Sequence, residues 1–417
     1  MNPPLRVALF TDSFQEANGV ATLSQEYAEY ARRASLPFCC VHSGGATRSI
    51  SNGSLYTLEL KRGPASFSLG NDLLCDPLLN RHRNWVLRQL GPFKPDLIHI
   101  MGPGDMGILG FWVAHCLQIP MVASWHTNLH EYLGRRVRNM LSFAPCTLVE
   151  RSGSLLEKHS LNALLKFYRL AHFVMAPNQA TVDLLSHGTG RPAYPMAHGV
   201  DIARFSPDKR AATTSGDFCI GYVGRLSPEK NVTAFIELER KLLAAGQRNF
   251  RLLLIGEGSQ RHWLERNLRF GELPGVLRGE PLSIAFAGMD AFVFPSMTDT
   301  YGLVLLEAMA SGVPVVVTPE TGAHVEVNEY CGALLGNDFA ASLITLMNSR
   351  NLRDSMGMAA RQLACSRVWA GVFDSFYATF DQALGDPRVR ARMHPAALAG
   401  TSGAAQSSAR PPIGFTP

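Results

Sequence analysis

Pro295-Ser296-Met297-Thr298-Asp299-Thr300-Tyr301-Gly302-Leu303-Val304-Leu305-Leu306-Glu307-Ala308-Met309-Ala310-Ser311-Gly312-Val313-Pro314 is the stretch from which the fold can be read. It comes after a short apolar run, Ala291–Phe294, that reads as a strand. Pro295 and the polar residues after it end that strand, and Tyr301-Gly302 makes a turn. Apolar residues then recur at helical spacing to Ala310, where Ser311-Gly312 stops the helix and Val313–Thr318 starts a second apolar strand. Strands apolar on both faces and joined by a helix belong to a parallel sheet covered on both sides.

The same rhythm extends in both directions. Val7–Phe10, Pro37–His42, Leu97–Met101, Met121–Trp125 and Phe173–Ala176 read as strands, and Gly19–Ser35, Gly104–Cys116 and Gln179–Ser186 as helices. A turn-rich connection through His198-Gly199-Val200-Asp201 and Phe205-Ser206-Pro207, with a polar loop at 211–217, interrupts the pattern. It restarts with strand Phe218–Val223, helix Val232–Ala245, strand Arg251–Ile255 and helix Gln260–Asn267, and after the quoted stretch closes with helices Asp338–Asn348 and Leu352–Ser366. At 417 residues the chain is too long for one ordinary core. The expectation is an α/β protein: two Rossmann-like, doubly wound parallel-sheet domains facing across a cleft, 1–200 and 201–368. A helix at 369–384 crosses back over both, and a tail at 385–417, rich in Ala, Gly, Ser and Pro, is expected to be disordered.

The composition is that of a globular protein, 46% hydrophobic and 18% charged. Residues 1–205 hold 19 of the 39 Lys and Arg but only 14 of the 34 Asp and Glu, so the net charge of +5 lies in the first half. That surface is either simply solvated or suited to an anionic partner such as a lipid headgroup. The basic run Tyr132–Arg169 is open to the same two readings, an outer helical face or a membrane-facing one. Eight cysteines without a C-x-x-C pair, and a first strand beginning at Val7, point to a reducing, cytoplasmic setting. Met106–Ala123 has the length of a membrane span, but Gly107, Gly110, His115, Gln118 and Pro120 make it a buried helix followed by a strand. Modest charge without interleaved aromatics speaks against nucleic acid.

Chemistry concentrates where strands end. Gly224-Arg225-Leu226-Ser227-Pro228-Glu229-Lys230-Asn231 comes directly after strand Phe218–Val223, and its two cations can converge on one pyrophosphate. In the quoted stretch, the helix N-terminus offers free N–H groups and a positive dipole end to a phosphate. Asp299 and Glu307 can accept hydroxyl hydrogen bonds on either side of it. Hydroxyls, diphosphate, hydroxyls is the layout of a sugar nucleotide. Asn18-Gly19-Val20 opens a helix after the first strand, where Gly19 either lets backbone approach a phosphate or merely serves the turn; the loop is not G-x-G-x-x-G. His126 ends strand Met121–Trp125 and is either structural or a group that hydrogen-bonds a sugar or takes a proton; His99 is placed similarly. Gly256-Glu257-Gly258 reads as a strand-to-helix turn more readily than as a phosphate cradle. His126 and His130 have a metal-like spacing, but no H-E-x-x-H accompanies them, so no metal is expected.

Taken in order, Asn18-Gly19-Val20, Trp125-His126-Thr127, Pro177-Asn178-Gln179-Ala180-Thr181, His198-Gly199-Val200-Asp201, Phe205-Ser206-Pro207, Gly224-Arg225-Leu226, Glu229-Lys230-Asn231, Asp299, Glu307 and Ser311-Gly312-Val313-Pro314-Val315-Val316 resemble the retaining family 4 glycosyltransferases of GT-B fold. The likeness spans roughly residues 5–384. It is most like the subset containing bacterial lipid α-mannosyltransferases and sulfolipid (sulfoquinovosyl) synthases. It implies that Arg225 and Lys230 hold the donor diphosphate, that the Gly19 backbone approaches its β-phosphate, and that Glu307 binds the ribose hydroxyls. It further implies that Asp299 and His126 face the transferred sugar, that the backbone of Gly302, Leu303 and Val304 donates to phosphate and sugar, and that Gly279 marks the segment reading the base. Asp299 is one methylene shorter than the family's usual glutamate, and Val276–Glu280 lacks the usual aromatic, so a UDP- and a GDP-sugar donor both stay open.

The reaction implied by the resemblance is hexosyl transfer, mannosyl or glucosyl in type, from a nucleotide-diphosphate sugar to an acceptor hydroxyl with retention. No cofactor or metal is implied; a front-face attack has the departing phosphate take the acceptor proton. The acceptor would be a lipid, glycolipid or carbohydrate, and the enzyme a cytoplasmic one, peripheral at an anionic membrane through its first half. An epimerase or hydrolase on the same fold, or a non-catalytic sugar-nucleotide binder, are the rival readings.

Overall fold

The computed structural model describes residues 3–16, 18–68, 74–128, 130, 146–211, 216–297, 299–319, 333–335 and 338–393. Two sheets organise it. The first contains β1 (Val7–Thr11), β2 (Phe38–Gly44), β3 (Arg48–Asn52), β4 (Leu55–Lys61), β7 (Leu97–Ile100), β8 (Met121–Ser124), β9 (Phe173–Ala176) and β10 (Ala193–Pro195) in the order β10-β9-β8-β7-β1-β2-β4-β3. Every neighbouring pair is parallel except β3 and β4. A two-stranded ribbon, β5 (Phe67–Ser68) with β6 (Leu74–Cys75), stands apart from it. The second sheet is parallel throughout: β13 (Gly271–Gly275), β12 (Phe250–Ile255), β11 (Phe218–Val223), β14 (Ala291–Phe294), β15 (Val315–Val317) and β16 (Ala333–Leu335). Both are doubly wound, as expected, because strands such as β1, β7, β11 and β14 are buried along their length and need helices on both faces.

In each sheet the strand order reverses once, at β1 beside β7 and at β11 beside β14. The chain leaves a reversal point in opposite directions, and a crevice opens at the strands' carboxyl ends. Gly224-Arg225 leaves β11 there, and Pro295 to Asp299 leaves β14, so topology alone brings these two loops together.

The chain passes between the sheets twice, side by side. Val200 N donates to Arg367 O (2.8 Å), and Val200 pairs with Val368 as an isolated parallel bridge. A Cβ on Gly199 would lie 2.7 Å from Trp369 N, so only glycine permits this approach. The helix Trp369–Gly385 then returns to the first sheet, where Phe373 stacks on Tyr27 (4.7 Å) and Phe376 and Phe380 join the same buried cluster.

Several elements differ from the sequence reading. Pro228 opens only one 3-10 turn, Pro228–Lys230, and the helix starts at Ala234, because Asn231 adopts a left-handed conformation (φ 54°). The helix of the quoted stretch begins at Leu303, because Gly302 caps it at φ 75°. Residues 387–393, expected in the disordered tail, form a helix whose Val389 is fully buried against the first sheet's cluster; residues 394–417 lie outside the described residues. Most of the basic run's first part, 131–145, and most of the 211–217 loop also lie outside them.

Candidate active site

The site is built from the loop after β11 upward. Leu226 N donates to Glu257 O (2.8 Å) and Gly224 N to Ile255 O (3.0 Å), strapping the loop to the end of β12. A Cβ on Gly256 would meet Gly224 O at 1.9 Å and one on Gly258 would meet Leu226 O at 2.2 Å. The Gly256-Glu257-Gly258 turn therefore supports the cationic loop by close backbone packing. On the other side, Asn231 Nδ2 donates to Pro295 O (3.3 Å), fastening the loop to the end of β14.

These anchors bring Lys230 to Asp299, 69 residues later, as an ion pair at 2.5 Å with both side chains about four-fifths buried. Burial alone would raise the Asp299 carboxyl, but the charge and hydrogen bond of Lys230, with Arg225 adding to them, outweigh it and hold it below the ordinary carboxylate range. Arg225 also lies 3.8 Å from Glu229. Arg225, Lys230 and Asp299 thus share one corner of the crevice. Asp299 Oδ2 remains buried without a hydrogen-bond partner among the described residues, as does Ser227 Oγ.

The first sheet supplies the opposite wall. Gly19 opens the helix Gly19–Arg33, capped by Asn18, whose side chain accepts from Ala21 N (2.9 Å). A Cβ on Gly19 would lie 3.3 Å from Leu303 Cδ1, so two helix starts, one from each sheet, meet face to face. Glu307 stands one turn beyond Leu303 on the same helix face. It is half-buried, and burial pushes its carboxyl up to about 7 against the opposing charge of Arg204. Gly302 and Val304 flank Leu303 at this helix start, whereas Gly279 begins a separate helix, Gly279–Ala287 (φ 63°), whose Phe286 is buried in the same apolar cluster as Leu305 and Leu306.

His126 leaves β8 with its Nε2 buried and unpartnered, and burial lowers it to about 3. Its ring meets that of His198 edge-on at 6.0 Å, and His198 stacks on Tyr301 at 4.1 Å. Tyr301 OH donates to His198 O (3.2 Å) and accepts from Arg367 Nη1 (3.2 Å). Thr300 Oγ1 donates to His126 O (2.6 Å), and Asn178 Nδ2 donates to Thr300 O (3.2 Å). Sequence reading does not place His198, Tyr301, Thr300 or Asn178 in the site; all four stand in or beside its motifs, but only their packing joins them. His99, in contrast, is a core residue: its Nε2 pairs with Ser124 Oγ (2.6 Å) and its ring lies among Tyr27, Phe376 and Phe380. No group of three or more His, Cys, Asp or Glu able to hold a metal occurs among the described residues, and none of their helices is long and apolar enough to cross a membrane.

Unpartnered buried acceptors and donors around two cations and two helix starts can bind a hydroxyl-rich molecule carrying a diphosphate. Comparison with known proteins bears on the family. Residues 14–204 match the family model described as Glycosyltransferase Family 4, and residues 206–363 match Glycosyl transferases group 1. The chain is 29% identical over 311 residues to a GDP-mannose-dependent alpha-mannosyltransferase of Mycolicibacterium smegmatis, covering 72% of this chain and 76% of that one. It is 30% identical over 300 residues to the sulfoquinovosyl transferase of Arabidopsis thaliana, covering 66% of this chain and 54% of the plant protein. Among solved structures, sucrose-phosphate synthase from Thermosynechococcus elongatus superimposes with a TM-score of 0.68 at 17% identity, over 91% of this chain and 99% of that one, which bears on the fold. Two facing doubly wound sheets, a cationic loop at one reversal point, and family models that meet at the connection between the sheets lead to one conclusion: the chain belongs to the family 4 and group 1 glycosyltransferases of GT-B fold.

Proposed function

We propose that this glycosyltransferase moves a hexosyl group, mannosyl in type, from a nucleotide-diphosphate sugar to the hydroxyl of a lipid or glycolipid acceptor, with retention and without a metal. The gathering of Lys230, Arg225 and Asp299 at the reversal point of the second sheet, opposite the unpartnered His126 Nε2, carries the reading. Arg225 and Lys230 oppose the charge that builds on the leaving diphosphate, together with N–H groups at Gly302, Leu303 and Val304 and the backbone at Gly19. Glu307 takes the ribose hydroxyls, and Gly279 marks the base-reading segment. Asp299 and His126 hold the transferred sugar. An imidazole whose basicity is lowered to about 3 is a poor proton acceptor but a good neutral hydrogen-bonding group. That favours the leaving phosphate over His126 as the base that deprotonates the acceptor.

The division at residues 200/201 and 368/369 fits the paired crossings at Val200 and Val368. A lipid acceptor is supported by relatives named for glycolipid synthesis, among them an alpha-monoglucosyldiacylglycerol synthase of Acholeplasma laidlawii, 24% identical over 254 residues, 55% of this chain and 60% of that one. The basic first half fits the matching proposal, a peripheral position at an anionic membrane on its cytoplasmic face.

The test is a thermal-shift screen of GDP-mannose, UDP-glucose and UDP-sulfoquinovose, followed by incubation of the stabilising donor with membrane extract. Labelled glycolipid is the expected product. Free sugar released at the same rate with and without extract would identify a hydrolase, and no stabilisation by any nucleotide sugar at millimolar concentration would end the assignment.

A further inference from the structure

Thr300 is buried, 7% exposed, and lies between Asp299 and Tyr301 in the loop leaving β14. Its hydroxyl and its carbonyl are both used, and both by residues on elements of the first sheet. Its hydroxyl donates to the carbonyl of His126 (2.6 Å), and its carbonyl accepts from the side-chain amide of Asn178 (3.2 Å). Asn178 is fixed in turn: its Oδ1 caps the helix Gln179–Thr189 by accepting from Thr181 N and Thr181 Oγ1, each at 2.9 Å. A rigid helix end therefore holds one side of Thr300, and the end of β8 holds the other.

The bridge runs between two residues with an unsatisfied side-chain atom. His126 presents a buried, unpartnered Nε2, and Asp299, adjacent to Thr300, a buried, unpartnered Oδ2. They stand on loops from different sheets, and Thr300 links those loops by hydrogen bonds. We infer that Thr300 is a positioning residue: its hydroxyl sets the distance between His126 and Asp299 and so builds the pocket for the transferred sugar. This rests on the reading above that these two side chains face that sugar. The side chains proposed to hold the nucleoside diphosphate, Arg225, Lys230 and Glu307, all stand on elements of the second sheet, and among the groups proposed for that role only the backbone at Gly19 comes from the first. Loss of the bridge therefore separates two affinities, that for the sugar nucleotide and that for the bare diphosphate.

The experiment uses the full chain and calorimetric titration with GDP and GDP-mannose, or UDP and UDP-glucose where the wild type prefers them. Thr300→Val keeps the shape and removes the hydroxyl; Thr300→Ser keeps the hydroxyl. Asn178→Ser keeps a capping oxygen and removes the amide that reaches Thr300, and it serves as a second variant should Thr300→Val fail to fold. The expected result is a loss of about fivefold or more in sugar-nucleotide affinity for Thr300→Val, with diphosphate affinity within about twofold of wild type. Thr300→Ser restores both, and Asn178→Ser moves in the same direction as Thr300→Val. Equal losses for both ligands, no loss for either, or a Thr300→Ser variant as weak as Thr300→Val would overturn the inference. A wild type that binds neither diphosphate nor sugar nucleotide would instead remove the functional reading, and this inference with it.

Discussion

Replacing Glu307 by Gln should stabilise the free protein in alkaline solution while weakening its grip on a nucleotide. The carboxyl is half-buried and finds no side-chain hydrogen bond among the described residues, and burial raises it from 4.5 to about 7, with only Arg204 opposing. The unfolded chain ionises this group near its ordinary value, whereas the folded chain keeps the proton until about pH 7. Stability contributed by the protonated carboxyl is thus complete at low pH, is lost as pH rises through that window, and is fully gone above it. At about 1.36 kcal/mol per unit, the loss amounts to no more than about 3 kcal/mol. Glutamine never ionises and escapes it. Melting curves of wild type and Glu307→Gln should coincide near about pH 4.5 and separate by roughly 5–10 °C in the transition of the second half at about pH 8.5. In the proposed complex the ionised carboxylate accepts from two ribose hydroxyls, and hydrogen bonds to a charged group are each worth about 1.5–3 kcal/mol. Nucleoside diphosphate affinity should therefore fall about tenfold or more in the variant. A Glu307→Gln protein that melts at or below wild type in the alkaline sample would refute the burial argument. Unchanged nucleotide affinity would refute the ribose role.

Arg225→Ala and Lys230→Ala should each lose roughly a hundredfold or more in turnover with the fold retained, since each removes a charge-assisted contact to the leaving group; near-normal turnover in a folded variant would count heavily against the assignment. His126 should contribute no limb to the pH–rate profile between about pH 5 and 9, because it is already neutral there; a limb near about 6.5 that disappears in His126→Gln would contradict this. Phe373→Ala removes a fully buried ring from between Tyr27 and Trp369 and should cost about 3–5 kcal/mol in denaturant titration of the first half; a cost under about 1 kcal/mol would mean that the returning helix is not part of that core.

Much of this is legible in one dimension. Strands such as Phe173–Ala176, Phe218–Val223 and Ala291–Phe294 have the same bounds in sequence and structure, because a buried parallel strand is a short apolar run between turn residues. β13, Gly-Glu-Leu-Pro-Gly, is not legible in this way: its Gly and Pro read as a turn, and only its place at the sheet's edge tolerates them. The β3–β4 hairpin does carry a local signal, the two-residue loop Gly53-Ser54 with Gly53 at φ 61°, and reading only for parallel units passes over it.

Sequence by itself determined the two-sheet architecture and the cations at a strand's end, because burial periodicity and turn chemistry act over a few neighbouring residues, and the resemblance of its ordered motifs pointed to the family. Tertiary structure alone decided that Lys230 pairs with Asp299, that His198 lies between His126 and Tyr301, and that Thr300 bridges His126 and Asn178. Those contacts join residues tens to more than a hundred positions apart. A hydroxyl or an imidazole has no periodicity that announces its partner, and only the sheet reversals and the double crossing at Gly199 and Trp369 bring such groups within hydrogen-bonding distance.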